Sequence, residues 1–134
     1  MSSQGQSSLE FLAFVSMSAL LLAALYGVMS TKQTEAFRQQ NTEKAQRIAE
    51  QVSFQVELAL IHGDGYSRVF PVPSRIGGSS YTVELFNGTS RVSWANQTVL
   101  QPSRYEGEEI NITTRSGNVF RVVNQDSEVT FVAE

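Results

Sequence analysis

An α+β fold, with one long N-terminal helix running into a small antiparallel β domain, is the class this sequence predicts. Three observations carry it. An uncharged apolar run extends from Phe11 to Met29, good helix formers follow it without a break, and beyond Gly65 the composition turns to β-branched and aromatic residues punctuated by Gly and Pro.

The apolar run holds about nineteen residues, which at about 1.5 Å each is enough to cross a hydrocarbon core of about 30 Å. Gly27 is tolerated in such a span, and Ala19, Ala23 and Ala24 offer small surfaces on which other helices can close. A secretory leader that is removed would end in an A-x-A-like site after a short apolar core. Neither Ser16-Met17-Ser18 nor Ala23-Ala24 is followed by an end to the helix, so the segment reads as retained.

No proline precedes Pro71, and the helix is expected to continue as an amphipathic segment over 31–62. Phe37, Ala45, Ile48, Val52, Val56 and Leu60 recur at helical intervals among Arg38, Glu43, Lys44, Arg47 and Glu50. Val52, Phe54, Val56, Leu58 and Leu60 also alternate as a strand would, but they continue a run of good helix formers from Glu43 to Gln51, which favours helix. Gly63-Asp64-Gly65 supplies the stop.

Over 66–134 the expected elements are four to six short antiparallel strands with one apolar face, covered by the far end of the helix. Tyr81, Val83 and Leu85 alternate with Thr82, Glu84 and Phe86. Asn87-Gly88 reads as a type I′ hairpin turn, and Arg91 to Trp94 as the return strand. A second hairpin is expected from Ile110–Thr114 through a turn at Ser116-Gly117 to Val119–Val123, with a last strand from Glu128 to Val132.

At 134 residues the chain has room for one anchor and one small domain. Its net charge of −3 offers no basic footprint for nucleic acid, and with no cysteine it has neither disulfides nor a thiolate metal site. No Ser-His-Asp spacing, G-x-G-x-x-G or P-loop can be assembled, and Gly77-Gly78-Ser79-Ser80 lacks the lysine of a phosphate cradle. The expectation is therefore no catalytic residue, no metal and no cofactor. His62, near the helix end, suits capping. Glu57 and Asp64 are too few for a metal site, and Glu106-Gly107-Glu108-Glu109 reads as a solvated loop. Tyr66, Tyr81, Trp94 and Tyr105 could form a ligand platform, but read better as core or edge packing. Three N-x-[ST] sequons, at Asn87, Asn96 and Asn111, all fall in the β region and are candidate N-glycosylation sites. At Asn87, turn chemistry alone would also account for the Asn-Gly pair.

Glu10 stands at the mouth of the apolar run. A charge at membrane depth costs roughly 2.5 to 3.5 kcal/mol on insertion scales, so this acid calls for a partner. The order of residues, Gly5, Gln6, Glu10 and then a hydrophobic helix, resembles the class III signal peptide of archaeal type IV pilin-like proteins. The preceding residues, Met1-Ser2-Ser3-Gln4, lack the basic side chain such leaders usually carry. The resemblance implies a pilin-like fold, with a leader over 1–5, an assembly helix over 6–30 and its continuation over 31–62, then an extracellular head over 66–134. It implies cleavage between Gly5 and Gln6 by a prepilin-type peptidase, and pairing of Glu10 with the new N-terminal amine of a neighbouring subunit, a group largely cationic at neutral pH. Its implied partners are the membrane before assembly, an assembly ATPase with its membrane platform, and copies of itself in a helical homopolymer. The implied function is a structural subunit of a surface filament, serving adhesion. A minor pilin-like component and a single-pass anchored domain that never polymerises are the alternatives. Lys32 and Arg38 follow the span while no basic residue precedes it, which by the positive-inside rule would put the C-terminal domain in the cytoplasm. The sequons and the leader point the other way, and the extracellular reading follows them.

Overall fold

The computed structural model describes residues 3–114 and 119–133. Its elements are α1 (Ser3–His62), β1 (Ser67–Pro71), β2 (Tyr81–Phe86), β3 (Thr89–Trp94), β4 (Gln97–Pro102), β5 (Ile110–Thr113), β6 (Val119–Gln125) and β7 (Glu128–Ala133). The fold is α+β, with the long N-terminal helix packed on antiparallel sheets. The chain divides between Arg38 and Gln39 into two compact units, a boundary that lies inside α1 rather than at its end.

In the unit from Gln39 onward, helix is the outcome at Val52 to Leu60, where a strand pattern competed. The buried stripe is Ala45, Ile48, Ala49, Val52, Gln55, Val56 and Ala59, a spacing of three and four residues that keeps one face turned to the sheets. Two expected members of this stripe are corrected. Phe37 is 66% exposed and Leu60 41% exposed, while Ala49 and Ala59 take the buried places. Small side chains on this face let the helix come close: Ser90 Oγ on β3 donates to Ala49 O at 3.4 Å.

Where α1 ends, Gly63 takes a left-handed φ of 73° and its N–H donates to Ala59 O at 3.1 Å. His62 Nδ1–H donates to Leu58 O at 2.8 Å, and its ring stacks on Tyr66 with centroids 4.9 Å apart. Asn124, buried on β6, donates from Nδ2 to the same Ala59 O at 2.8 Å, so a residue far along the chain gives this last-turn carbonyl a second donor. Its backbone closes the same junction, Gly65 N–H donating to Asn124 O at 2.9 Å and Asn124 N–H to Tyr66 O at 2.8 Å.

The strands form two sheets rather than one, in the orders β1-β6-β7 and β4-β3-β2-β5. β5 also runs close to β7, which brings the two sheets edge to edge. Phe70, Phe120, Val122, Val129 and Phe131 line the inner face of the first sheet, with Phe70 meeting the rings of Phe120 and Phe131 edge-on at 5.9 and 6.2 Å. Tyr81, Val83, Leu85, Val92, Trp94 and Ile112 line the second, and all belong to one core with the helix stripe.

The second hairpin is also corrected. β5 pairs with β2 in the register Val83↔Ile112, and β6 pairs with β1 and β7, so Ile110–Thr113 and Val119–Gln125 belong to different sheets. The turn expected at Ser116-Gly117 lies outside the described residues. Among the described residues seven strands form where four to six are expected, β1 and β4 being additional to those the sequence pattern marks. At Asn87-Gly88 the two-residue hairpin is present, with Phe86 opposite Thr89, but only Gly88 has positive φ, 76°, whereas type I′ needs it at both positions. Gly88 N–H donates to Tyr105 O at 2.7 Å and Gly88 O accepts from Ser103 N–H at 2.9 Å, and these bonds set the turn. Two adjacent positive φ values occur instead at Ala95-Asn96 (40° and 63°) and Asp126-Ser127 (54° and 66°).

Because the Ala49 face is closed against β3, enlarging it should overpack the core. Ala49→Leu is expected to lose about 1–3 kcal/mol in denaturant titration, whereas Phe54→Ala, on the exposed face, should stay within about 0.5 kcal/mol. Equal losses from the two would show that the buried face has been assigned wrongly.

Candidate functional site: an exposed apolar helix segment

The unit from Met1 to Arg38 is helical over its described residues. Its large hydrophobic side chains, among them Leu9, Phe11, Phe14, Leu20, Leu22, Leu25 and Tyr26, are exposed, and at Phe14 and Tyr26 the exposed fractions reach 72% and 77%. The most apolar eighteen-residue window has a mean hydropathy of 2.2, and none of it is buried. This is a helix long and apolar enough to cross a membrane, as the sequence predicts, and it fits an anchor or a signal segment near the N-terminus.

Polar side chains within and just beyond the run are turned onto the helix itself. Ser16 Oγ donates to Leu12 O at 2.8 Å, Ser18 Oγ to Phe14 O at 2.9 Å, Thr31 Oγ1 to Gly27 O at 3.0 Å, and Thr34 Oγ1 to Ser30 O at 3.1 Å. A hydroxyl bonded to a carbonyl four residues earlier presents no unmet donor to its surroundings, which is what a lipid-facing surface requires. Ser and Thr inside an apolar helix are the sequence signal for these bonds, which a reading of charge does not reveal.

Gly5, Gln6 and Glu10 all lie in the first turns of α1, with Gln6 and Glu10 one turn apart on the same side. The Gly5–Gln6 bond is therefore helical here. A Cβ built on Gly5 meets nothing within 4 Å. Glu10 is exposed and, among the described residues, makes neither an ion pair nor a hydrogen bond.

The three sequon asparagines are all exposed and all belong to the four-stranded sheet: Asn87 and Asn96 in its hairpin turns, Asn111 within β5. No protein-family model, no curated protein and no solved structure matches the chain. Function must therefore be argued from its residues.

The aromatic residues do not form a ligand platform. Tyr81, Trp94 and Tyr105 are buried core members, and Tyr66 is half-buried beside His62. The acidic loop is exposed at Glu106, Glu108 and Glu109, and Tyr105 Oη–H donates to Glu108 O at 2.7 Å. Among the described residues no three His, Asp or Glu side chains converge as metal ligands. A groove of about 370 Å³ lies between the helix and β4, lined by Ser53, Phe54, Pro102 and Ser103, with the Arg104–Glu57 ion pair (3.2 Å) at its rim. Asn124, the buried polar residue at the helix end, was not anticipated either. It sits where an apolar side chain would continue the Phe120, Val122 alternation, and that break was visible in the sequence.

Burial pushes the Tyr81 phenol up to about 12, and its Oη–H donates to Pro73 O at 2.6 Å. Burial, with Glu128 and Glu108 nearby, also raises Tyr105. The native state thus holds the Tyr81 proton where an unfolded chain, near pH 10, has released it. Because burial penalises the ionised phenol, this residue leaves native stability unaffected below pH 10 and lowers it as the pH rises from 10 toward about 12. Ultraviolet titration should show a tyrosine ionising last, together with unfolding, and Tyr81→Phe should remove that step. An unchanged titration in the variant would refute the assignment.

Proposed function

We propose that this chain is a structural subunit of an archaeal type IV pilus-like surface filament, made as a single-pass membrane precursor and serving adhesion. In this reading a prepilin-type peptidase cuts between Gly5 and Gln6, and the apolar segment stays on the mature chain. The observation that carries it is the exposure of α1 from Leu9 to Met29, broken only by half-buried Ser18, together with a lone carboxylate at Glu10 that has no partner among the described residues.

Such a segment is stable in lipid and unstable in water, because each large apolar side chain moved into water forfeits about 1.5–3 kcal/mol. A subunit drawn out of the bilayer needs other apolar surface at once, and identical copies of the same helix supply it. Contacts between unlike surfaces of successive copies do not close on themselves, so they propagate as a helical filament. An assembly ATPase and its membrane platform would supply the work of extraction. Cleavage after Gly5 would create an α-amine four residues before Glu10, and the amine of one subunit would neutralise the acid of the next. The exposed sequons, Asn87 and Asn96 in turns above all, support an extracellular head, since sequons are modified only on the far side of the membrane.

Glu10→Ala is expected to leave membrane insertion intact and to abolish or disorder polymerisation, read by electron microscopy of sheared cell-surface material. Mass spectrometry of that material should find chains beginning at Gln6. Trace amounts of such chains would favour a minor, filament-priming component. Chains confined to the membrane with Met1 retained, or normal fibres from the Glu10 variant, would overturn the proposal in favour of a plain anchored domain.

A further inference from the structure

The three sequons are equivalent as sequence and unequal as structure. Resting on the extracellular reading above, we propose that the folded β unit offers two asparagines for N-linked glycosylation, Asn87 and Asn96, and withholds the third, Asn111.

In the transfer, the asparagine Nδ2 bonds to the anomeric carbon of an oligosaccharide carried on a lipid phosphate. The carbon–oxygen bond to the phosphate breaks, the lipid phosphate leaves with the electron pair, and the amide gives up one proton. The reaction needs an amide nitrogen that can leave its neighbours and reach the enzyme's cleft, and an acceptor tripeptide that can enter that cleft as a surface loop.

Asn87 and Asn96 themselves stand in turns, with Thr89 and Gln97-Thr98 of their sequons forming the opening residues of β3 and β4. Each is exposed in a two-residue turn, between β2 and β3 and between β3 and β4, and neither side-chain amide is hydrogen-bonded among the described residues. At Asn87 the bonds from Gly88 to Ser103 and Tyr105 hold the turn's backbone and leave the side chain outside it. Asn96 leads into β4, which like β5 is an outer strand of its sheet, but Asn96 itself stands in the turn before the pairing begins, whereas Asn111 lies within the paired residues. The hydroxyl of its Thr98 meets Ser93 Oγ at 3.3 Å, a contact exposed to solvent.

Asn111 meets neither condition. Its side chain faces Glu84 Oε1 at 3.3 Å, and a carboxylate offers only acceptors, so the amide nitrogen is the atom engaged. The other carboxylate oxygen of Glu84 is held by Arg91 Nη1 at 3.0 Å, which fixes the acceptor in place. The hydroxyl of Thr113, the third residue of the sequon, shares a solvent-exposed hydrogen bond with Thr82 Oγ1 at 3.1 Å, as Thr98 does with Ser93, so the difference between the sites lies in the backbone and in Ile112. Between Asn111 and Thr113, Ile112 belongs to the core, and the register with β2 runs from Leu85↔Ile110 to Thr82↔Thr113. Presenting this tripeptide to an enzyme would pull Ile112 out of the core and strip β5 from the sheet.

The test uses the full-length chain from the cells that make it. Protease treatment of intact cells reports whether the β unit is outside, and glycopeptide mass spectrometry reports each sequon. The expected result is an outside domain with sugar at Asn87 and Asn96 and an unmodified Asn111. Asn87→Gln and Asn96→Gln should each remove one glycan mass from the chain, and Asn111→Gln none. An outside domain with sugar on Asn111, or with either turn bare, would overturn this inference and leave the filament reading standing. A domain protected inside the cell would overturn both. The wild-type glycopeptides decide the matter even where a variant fails to accumulate.

Discussion

The need of every large apolar side chain for a non-aqueous neighbour is the constraint on which the rest of this structure depends, and one helix meets it in two ways. Between Ala45 and Ala59 the apolar positions fall on one face, and the two sheets cover that face. Between Leu9 and Met29 they fall on all faces, and among the described residues these side chains are exposed. A stripe calls for a sheet, whereas an all-round apolar surface calls for lipid or for other helices of the same kind. The division of the chain at Arg38 follows this change in what the side chains require.

Polar groups largely follow the complementary rule, that a donor or acceptor removed from water finds a partner, with Ser53 Oγ, Gln55 Oε1, Tyr66 Oη and Asn124 Oδ1 as buried exceptions. In the apolar segment Ser16 and Ser18 find theirs in the helix's own carbonyls. At the other end of α1 the partner comes from β6, where Asn124 reaches Ala59 O. Thr114 plays the same part beyond β5: its backbone N–H and its hydroxyl both donate to Tyr81 O at 2.9 Å, extending the pairing past the strand's end. These bonds tie the helix end and the sheet margins to the core, and Tyr81, buried beside them, keeps its phenol protonated well into alkaline solution.

The elements of the fold were legible where a signal was local. Helix continuity through Val52 to Leu60 follows from the run of helix formers before it, and the stop at Gly63 from a glycine free to take positive φ. The β2–β3 hairpin follows from alternation on either side of Asn87-Gly88. Its turn type did not follow: only Gly88 takes positive φ, and Gly88 is bonded to Ser103 and Tyr105, residues that come after another strand. Phe37 carries the right periodicity but lies on the other side of the unit boundary from the stripe it was assigned to. Within the candidate site, Glu10 and the three asparagines could be picked out as residue types. Their surroundings could not, since the Glu84 carboxylate that holds Asn111 lies on a neighbouring strand.

The sequence by itself determined that this protein has one long helix, apolar all round in its first half and one-sided in its second, followed by short antiparallel strands. Periodicity and composition are properties of neighbouring residues, and they suffice for elements of this kind. Only the tertiary structure decided that the strands divide into two sheets, that β5 joins β2 while β6 lies between β1 and β7, and that Asn124 closes the helix end. The physical reason is that a strand's edge offers the same N–H and C=O groups to any antiparallel neighbour. The choice among neighbours is made by how Phe70, Phe120 and Ile112 fill the space beneath the helix, and that is a property of the whole core.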